Sequence, residues 1–381
     1  MRIAYVNYGS QSGVTPNVTN ALFGLGHEVI RVDPTGVLAL RDPRTQRPRP
    51  TPRVLLSIAA SALRFGPQAV PRRWNTVYAF DQHTKQAGTL LGRMTPRPDV
   101  VLQNGALFAP GRPAPFPYVL LLDNTCLLSE RQSAVAGPAA EIYRDFARSW
   151  IDRERETYRR ATAIATFSKI VRDSVVEDYG IDAKRVHVVG AGANVTLDAA
   201  EERRDDGRTL LFIGKDDWRR KGGPVLLKAF QMLRRFRPDL RLILAGPPSS
   251  IEVPAGVTNL GVVPFEEVRR LLAGATVFVL PTRREPFGIA FLDAMVCGVP
   301  CVGTQVGAVP EILEDVGVCV PSGDAQAFAS AVGALLDDPA RRAAMAEAGQ
   351  RRVLERGYLW PEVGKRLSGI LASASSGKRA A

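Results

Sequence analysis

One local pattern recurs along this chain: a short apolar run, a polar turn, then a stretch with helical periodicity. "RIAYV" (2–6), "DVVLQNG" (99–105), "YVLLLDN" (118–124) and "ATAIATFSK" (161–169) are such runs in the first half. "TLLFIG" (209–214), "LRLILAG" (240–246), "TVFVLP" (276–281) and "PCVGT" (300–304) are those of the second. Strands buried on both faces read as continuous apolar runs, and alternation with helices puts them in parallel sheets. Between the halves, "LDAAEERRDDGR" (197–208) is charged and weakly apolar, as a linker should be. The chain is 381 residues long, more than one typical domain holds. The expected fold class is therefore α/β with two Rossmann-like domains, 1–195 and 196–357.

Composition excludes some classes. No apolar run reaches the roughly 18 residues of a transmembrane helix. The opening "MRIAYVNYGS" turns polar too soon for a secretory signal, so a cytoplasmic location is expected. Cys297 and Cys301 are spaced C-x3-C, but the three histidines are scattered, so the four cysteines read as buried free thiols. His83 reads as a surface residue. The formal net charge is +12, compatible with nucleic acid, an acidic membrane or a phosphorylated substrate. Nucleic acid is disfavoured because no basic stripe is interleaved with aromatics.

The arginines concentrate in residues 41–73, which hold eight of them against one aspartate. One reading is a basic amphipathic element that contacts the inner face of a membrane. The other is an arginine-rich loop followed by a core helix at 54–65. Both stay open at this level.

The most informative stretch is "RREPFGIAFLDAM" (283–295). It follows an apolar strand and opens a helix near Gly288, so it lies at the carboxyl edge of a parallel sheet, where such folds bind ligands. Free N–H groups at the helix start suit phosphate or sugar hydroxyls. From Gly288 to Asp293 the helix rises roughly 7–8 Å. Glu285 precedes that helix, so the two acids are spaced to straddle a ligand. The carboxylates of a retaining hydrolase sit closer, at about 5–5.5 Å. Two acids that grip separate hydroxyls, with phosphates between, describe a nucleotide sugar. The loop "GKDDWRRKGG" (214–223) supplies the cations Lys215, Arg220 and Lys221, and it is not a P-loop.

"FIGKDDWRRKGG" and "REPFGIAFLDAMVCGVPCVGT", with the two-domain pattern, resemble the retaining glycosyltransferases of the GT-B fold, family GT4. The resemblance is strong over 209–322 and looser over 1–195. It implies two Rossmann-like domains facing a cleft, and a last helix (358–374) crossing back to the N-terminal domain. It implies a nucleoside-diphosphate-sugar donor, no cofactor and no metal, and a glycan or lipid-linked acceptor hydroxyl. Glu285 takes the first acid of the family's E-x7-E element, beside the donor sugar. Asp293 stands where the ribose-binding glutamate is usual, one methylene shorter. Lys215 and Lys221 match the diphosphate-binding pair. Phe287, Gly288 and Ile289 would line the donor site with their backbone N–H groups, and Gly9 and Ser10 sit on the first loop, where relatives meet donor or acceptor. Asp123 is the acceptor-side candidate for orienting or deprotonating a hydroxyl, with a plain turn aspartate as the alternative. Two rival functions remain: a catalytically silent nucleotide- or glycan-binding protein, and a nucleotide-sugar epimerase.

Overall fold

β-Strands buried along their whole length organise both halves of the chain. The computed structural model describes residues 1–8, 11–41, 45, 47–136, 146–196, 203–214 and 218–377. Two compact units result. The first is Met1–Arg131, Ile142–Gly190 and Pro361–Ala381; the second is Gln132–Glu141 with Ala191–Trp360.

The first unit contains β1 (Arg2–Val6), β2 (Glu28–Val32), β3 (Val100–Asn104), β4 (Tyr118–Leu122), β5 (Ala163–Thr166) and β6 (Val186–Val188). They form one parallel sheet in the order β2-β1-β3-β4-β5-β6. Leu120, Leu121 and Leu122 of β4 are fully buried, each contributing about 1.5–3 kcal/mol of transfer free energy. The carboxyl group of Glu154 is buried here too, and its burial raises its pKa. It is tolerated because Tyr158 Oη (2.8 Å), Tyr179 Oη and the Cys126 N–H (3.2 Å) all donate to it.

His83 is not at the surface, contrary to its sequence reading. It is buried on the helix Val77–Gly92, its ring stacked on Trp74 at 4.7 Å. Burial pulls its pKa down to about 4, so the neutral ring is packed as an aromatic. A histidine in a polar stretch, "FDQHTKQ", carries no local sign of the tryptophan that covers it.

The helix Trp360–Ser375 ends the described chain, and from Pro361 onward it is part of the first unit. Ser368 Oγ lies 2.7 Å from His27 Nε2, and Arg366 Nε donates to the Val189 carbonyl at 2.8 Å.

The second unit contains β7 (Thr209–Ile213), β8 (Arg241–Ala245), β9 (Val257–Asn259), β10 (Val277–Val279), β11 (Cys301–Thr304) and β12 (Val318–Val320). They form a parallel sheet in the order β12-β11-β10-β7-β8-β9. In the first unit a charged helix spans Arg148–Arg160; residues 137–145 lie outside the described residues.

Candidate functional site

The order of the second sheet locates a crevice. After β7 the chain runs outward through β8 and β9, then returns to place β10 on the other side of β7. The loops that leave the carboxyl ends of β7 and β10 therefore diverge, and open α/β sheets bind ligands at such a switch point. The two stretches singled out in the sequence, 214–223 and 283–295, follow these strands; residues 215–217 lie outside the described residues.

Backbone bonds stitch the loops together. The Arg283 N–H donates to the Arg220 carbonyl at 2.8 Å, and Arg220 Nη1 donates to the Arg284 carbonyl at 3.0 Å. Thr282 Oγ1 also donates to the Arg284 carbonyl, at 2.9 Å. Gly222 has φ 79°, and a Cβ there would stand 1.8 Å from the Pro281 carbonyl oxygen. No other residue lets the two backbones come this close.

The result is an ion pair between residues 64 apart in sequence: Lys221 Nζ donates to Glu285 Oε2. The two side chains are only 14% and 9% exposed. Burial lowers the lysine's pKa, and the Glu285 carboxylate opposes that shift. Phe287 is buried edge-to-face on Tyr358, with ring centroids 6.2 Å apart. Gly288, at φ 118°, caps the helix Ile289–Val296, and Gly222 caps the helix Gly223–Arg234. Neither helix start has a side-chain cap, so each presents backbone N–H groups and the positive dipole end.

Gly288 yields a local prediction. Gly288→Ala forces a Cβ into a left-handed conformation, 3.0 Å from Phe291 Cδ2. The expected cost is about 1–3 kcal/mol, read as a lower unfolding temperature.

Asp293 is employed differently from Glu285. It is buried in the Ile289–Val296 helix, and its Oδ1 accepts the backbone N–H groups of Asn194 (2.6 Å) and Val195 (2.9 Å). Trp360 Nε1 then donates to Asn194 Oδ1 at 3.2 Å, and the Ala193 N–H donates to the Tyr358 carbonyl at 2.9 Å. Burial pushes the Asp293 pKa up to about 7 despite the two backbone donors.

Lys221, Arg220, Glu285, Phe287 and Gly288 thus belong to one pair of joined loops, and Ile289 opens the helix that follows. Lys215, Gly9 and Ser10 lie outside the described residues. Asp123 belongs to the first unit, immediately after β4, with an exposed side chain. Sequence reasoning missed Thr304 and Ser322, whose hydroxyls donate to the Thr282 carbonyl at 2.5 and 3.4 Å and brace the Glu285 loop from behind. Small polar residues after apolar strands are common, so no local signal marks them.

Comparison with known proteins agrees with this architecture. Residues 207–338 match the family described as Glycosyl transferases group 1. Alpha-maltose-1-phosphate synthase of Mycolicibacterium smegmatis is 31% identical over 264 residues, 60% of this chain and 67% of that protein. The GDP-mannose-dependent alpha-(1-6)-phosphatidylinositol monomannoside mannosyltransferase of the same organism is 36% identical over 180 residues, 42% of this chain. This chain spans about half, 47%, of that mannosyltransferase's length. Among solved structures, sucrose-phosphate synthase from Thermosynechococcus elongatus superposes with a TM-score of 0.74 at 18% identity, covering 99% of this chain and 100% of that one. Anabaena Alr3699/HepE, solved with UDP and glucose, superposes with a TM-score of 0.65 at 15% identity, covering 98% and 100%. The two parallel-sheet domains are those of GT-B glycosyltransferases, and by its motif loops and its match to the synthase the chain belongs to the Glycosyl transferases group 1 family.

Proposed function

We propose that the protein transfers a sugar from a nucleoside-diphosphate sugar to a hydroxyl of a glycan or lipid-linked acceptor, with retention and without a metal. One observation carries this reading: Lys221 and Glu285 meet at the switch point between β7 and β10, beside two helix starts without side-chain caps. The relatives support the donor class, since one is GDP-mannose-dependent by name and one neighbour was solved with UDP and glucose.

Breaking the sugar–phosphate bond leaves negative charge on the diphosphate. Lys221 and Arg220 supply fixed positive charge where that charge grows, and the N–H groups at the start of Ile289–Val296 add donors. Preorganised charge in a site largely shielded from water costs no reorganisation during the reaction. Glu285 has two tasks in this reading. It holds the ammonium of Lys221 in position, and it accepts from hydroxyls of the donor sugar.

The test is thermal unfolding with a panel of nucleoside diphosphates. A ligand at about 100 times its Kd stabilises by about 2.7 kcal/mol, a shift of several degrees. At least one diphosphate is expected to produce that shift. A panel with no shift at all would sink the donor-site reading. NMR of the product anomer decides retention, and turnover in excess chelator decides the metal question.

A further inference from the structure

Residues 47–80 contain six arginines, Arg47, Arg49, Arg53, Arg64, Arg72 and Arg73, and no acid. The helix Pro52–Phe65 lies inside this segment. Thr51 caps it by accepting from the Val54 N–H at 3.3 Å, Pro52 fits its first turn, and Gly66 at φ 51° ends it. A surface helix normally turns its leucines inward. This one does the reverse. Ser57 and Ser61 face inward with no exposure, beside Val54. Leu55, Leu56 and Leu63 face outward, 55%, 56% and 93% exposed. Ala59 and Ala62 are exposed as well, so 55, 59, 62 and 63 form one outward apolar stripe. Arg53 and Arg64 are exposed and lie three turns apart on one edge of it.

Leucines turned to water beside arginines, on a helix that itself carries no acid, define what covers them. A second copy on this face would set the exposed Arg53 and Arg64 against the same arginines of its partner, and like charges across an interface oppose pairing. A bilayer with anionic headgroups satisfies both features: its acyl boundary takes the leucines and its phosphates take the guanidiniums. The helix has 14 residues, about 21 Å at 1.5 Å per residue, too short to cross a bilayer. No helix among the described residues is long and apolar enough to cross one. We propose that Pro52–Phe65 is a docking surface for anionic lipid, lying in the plane of the membrane with Leu55, Leu56 and Leu63 inserted and Arg53 and Arg64 at the headgroups. The proposal does not depend on the donor-site reading. Either can fail while the other stands, because vesicle binding needs no nucleotide.

The experiment is co-sedimentation of the full chain with phosphatidylcholine vesicles, with and without phosphatidylglycerol. The chain is expected to sediment with the anionic vesicles and to be released as salt rises. Leu63→Ser is expected to lower partitioning about ten- to hundredfold. Leu55→Ser combined with Leu56→Ser should do the same, and Arg53→Gln with Arg64→Gln should weaken binding and flatten its salt dependence. These side chains are exposed, so the unfolding temperature and any nucleotide-induced shift should stay at wild-type values. Equal binding to neutral and anionic vesicles, no binding to either, or leucine variants that bind normally would each overturn the proposal. A concentration-dependent dimer lost on Leu63→Ser, with vesicles capturing nothing, would assign the face to a second copy instead.

Discussion

Lys221→Ala is expected to abolish diphosphate-induced stabilisation and to lower kcat by about 10²–10³-fold, the loss found when one preorganised electrostatic stabiliser is removed. The same change leaves Glu285 charged, largely buried and without its ammonium partner. Removing one member of a buried pair costs about 3–5 kcal/mol, so the unfolding temperature should fall as well. A structural partner and a phosphate-binding cation would both destabilise the protein when lost, so stability alone does not separate them. Glu285→Gln does. It keeps the shape of the side chain and the cation at 221, so a nucleoside diphosphate should still raise the unfolding temperature while turnover drops. If Lys221→Ala keeps the diphosphate shift that wild type shows, the lysine only supports Glu285, and the charge at the leaving group comes from elsewhere in the loop.

What could be read in advance follows a physical division. Both sheets were legible because a strand buried on each face is mostly apolar, and "VVL", "YVLLL", "LLFI" and "VFVL" form the bodies of four of them. The Glu285 loop was legible because Pro286, Phe287 and Gly288 mark a strand-to-helix turn within a few residues. Pairings across the sheet were not. Lys221 finds Glu285 only because β10 lies beside β7, and no local pattern states that order. The tie from Asp293 to Asn194 and Val195 spans 99 and 98 residues and uses backbone donors, which carry no side-chain signature. The arginine-rich segment was ambiguous for another reason. Its helical period is plain, but Ser57 and Ser61 point inward while Leu63 points out, the opposite of the usual phase. Periodicity reports that a helix has two faces, and only packing decides which is covered.

Asp293 should make a large contribution to the pH dependence of stability, opposite in sign to that of buried His83, and Asp293→Asn should remove its share. In the folded protein burial lifts its pKa to about 7 from an ordinary 3.8. The folded state therefore holds a proton that the unfolded chain has released across that interval. The sign follows: Asp293 contributes stability that is fully present below about pH 4 and is lost as pH rises through about 7. A gap of that size corresponds to about 4 kcal/mol at most. Asparagine is nearly the same shape, stays neutral, and its Oδ1 can still accept from the Asn194 and Val195 N–H groups. The variant should match wild type near the acid end and exceed it above neutrality. Denaturant unfolding of both proteins across this pH range measures the difference directly. A difference that stays flat would mean that Asp293 remains ionised when buried, held by its two backbone donors. An asparagine that is less stable at every pH would mean that the carboxylate's charge is needed to fasten residues 194–195 to the Ile289–Val296 helix. Nucleotide binding by the same variant then separates two uses of one carboxyl group. Unchanged diphosphate stabilisation would make Asp293 a fastener of the second unit, whereas a loss confined to nucleosides with an intact ribose would assign it to the sugar hydroxyls.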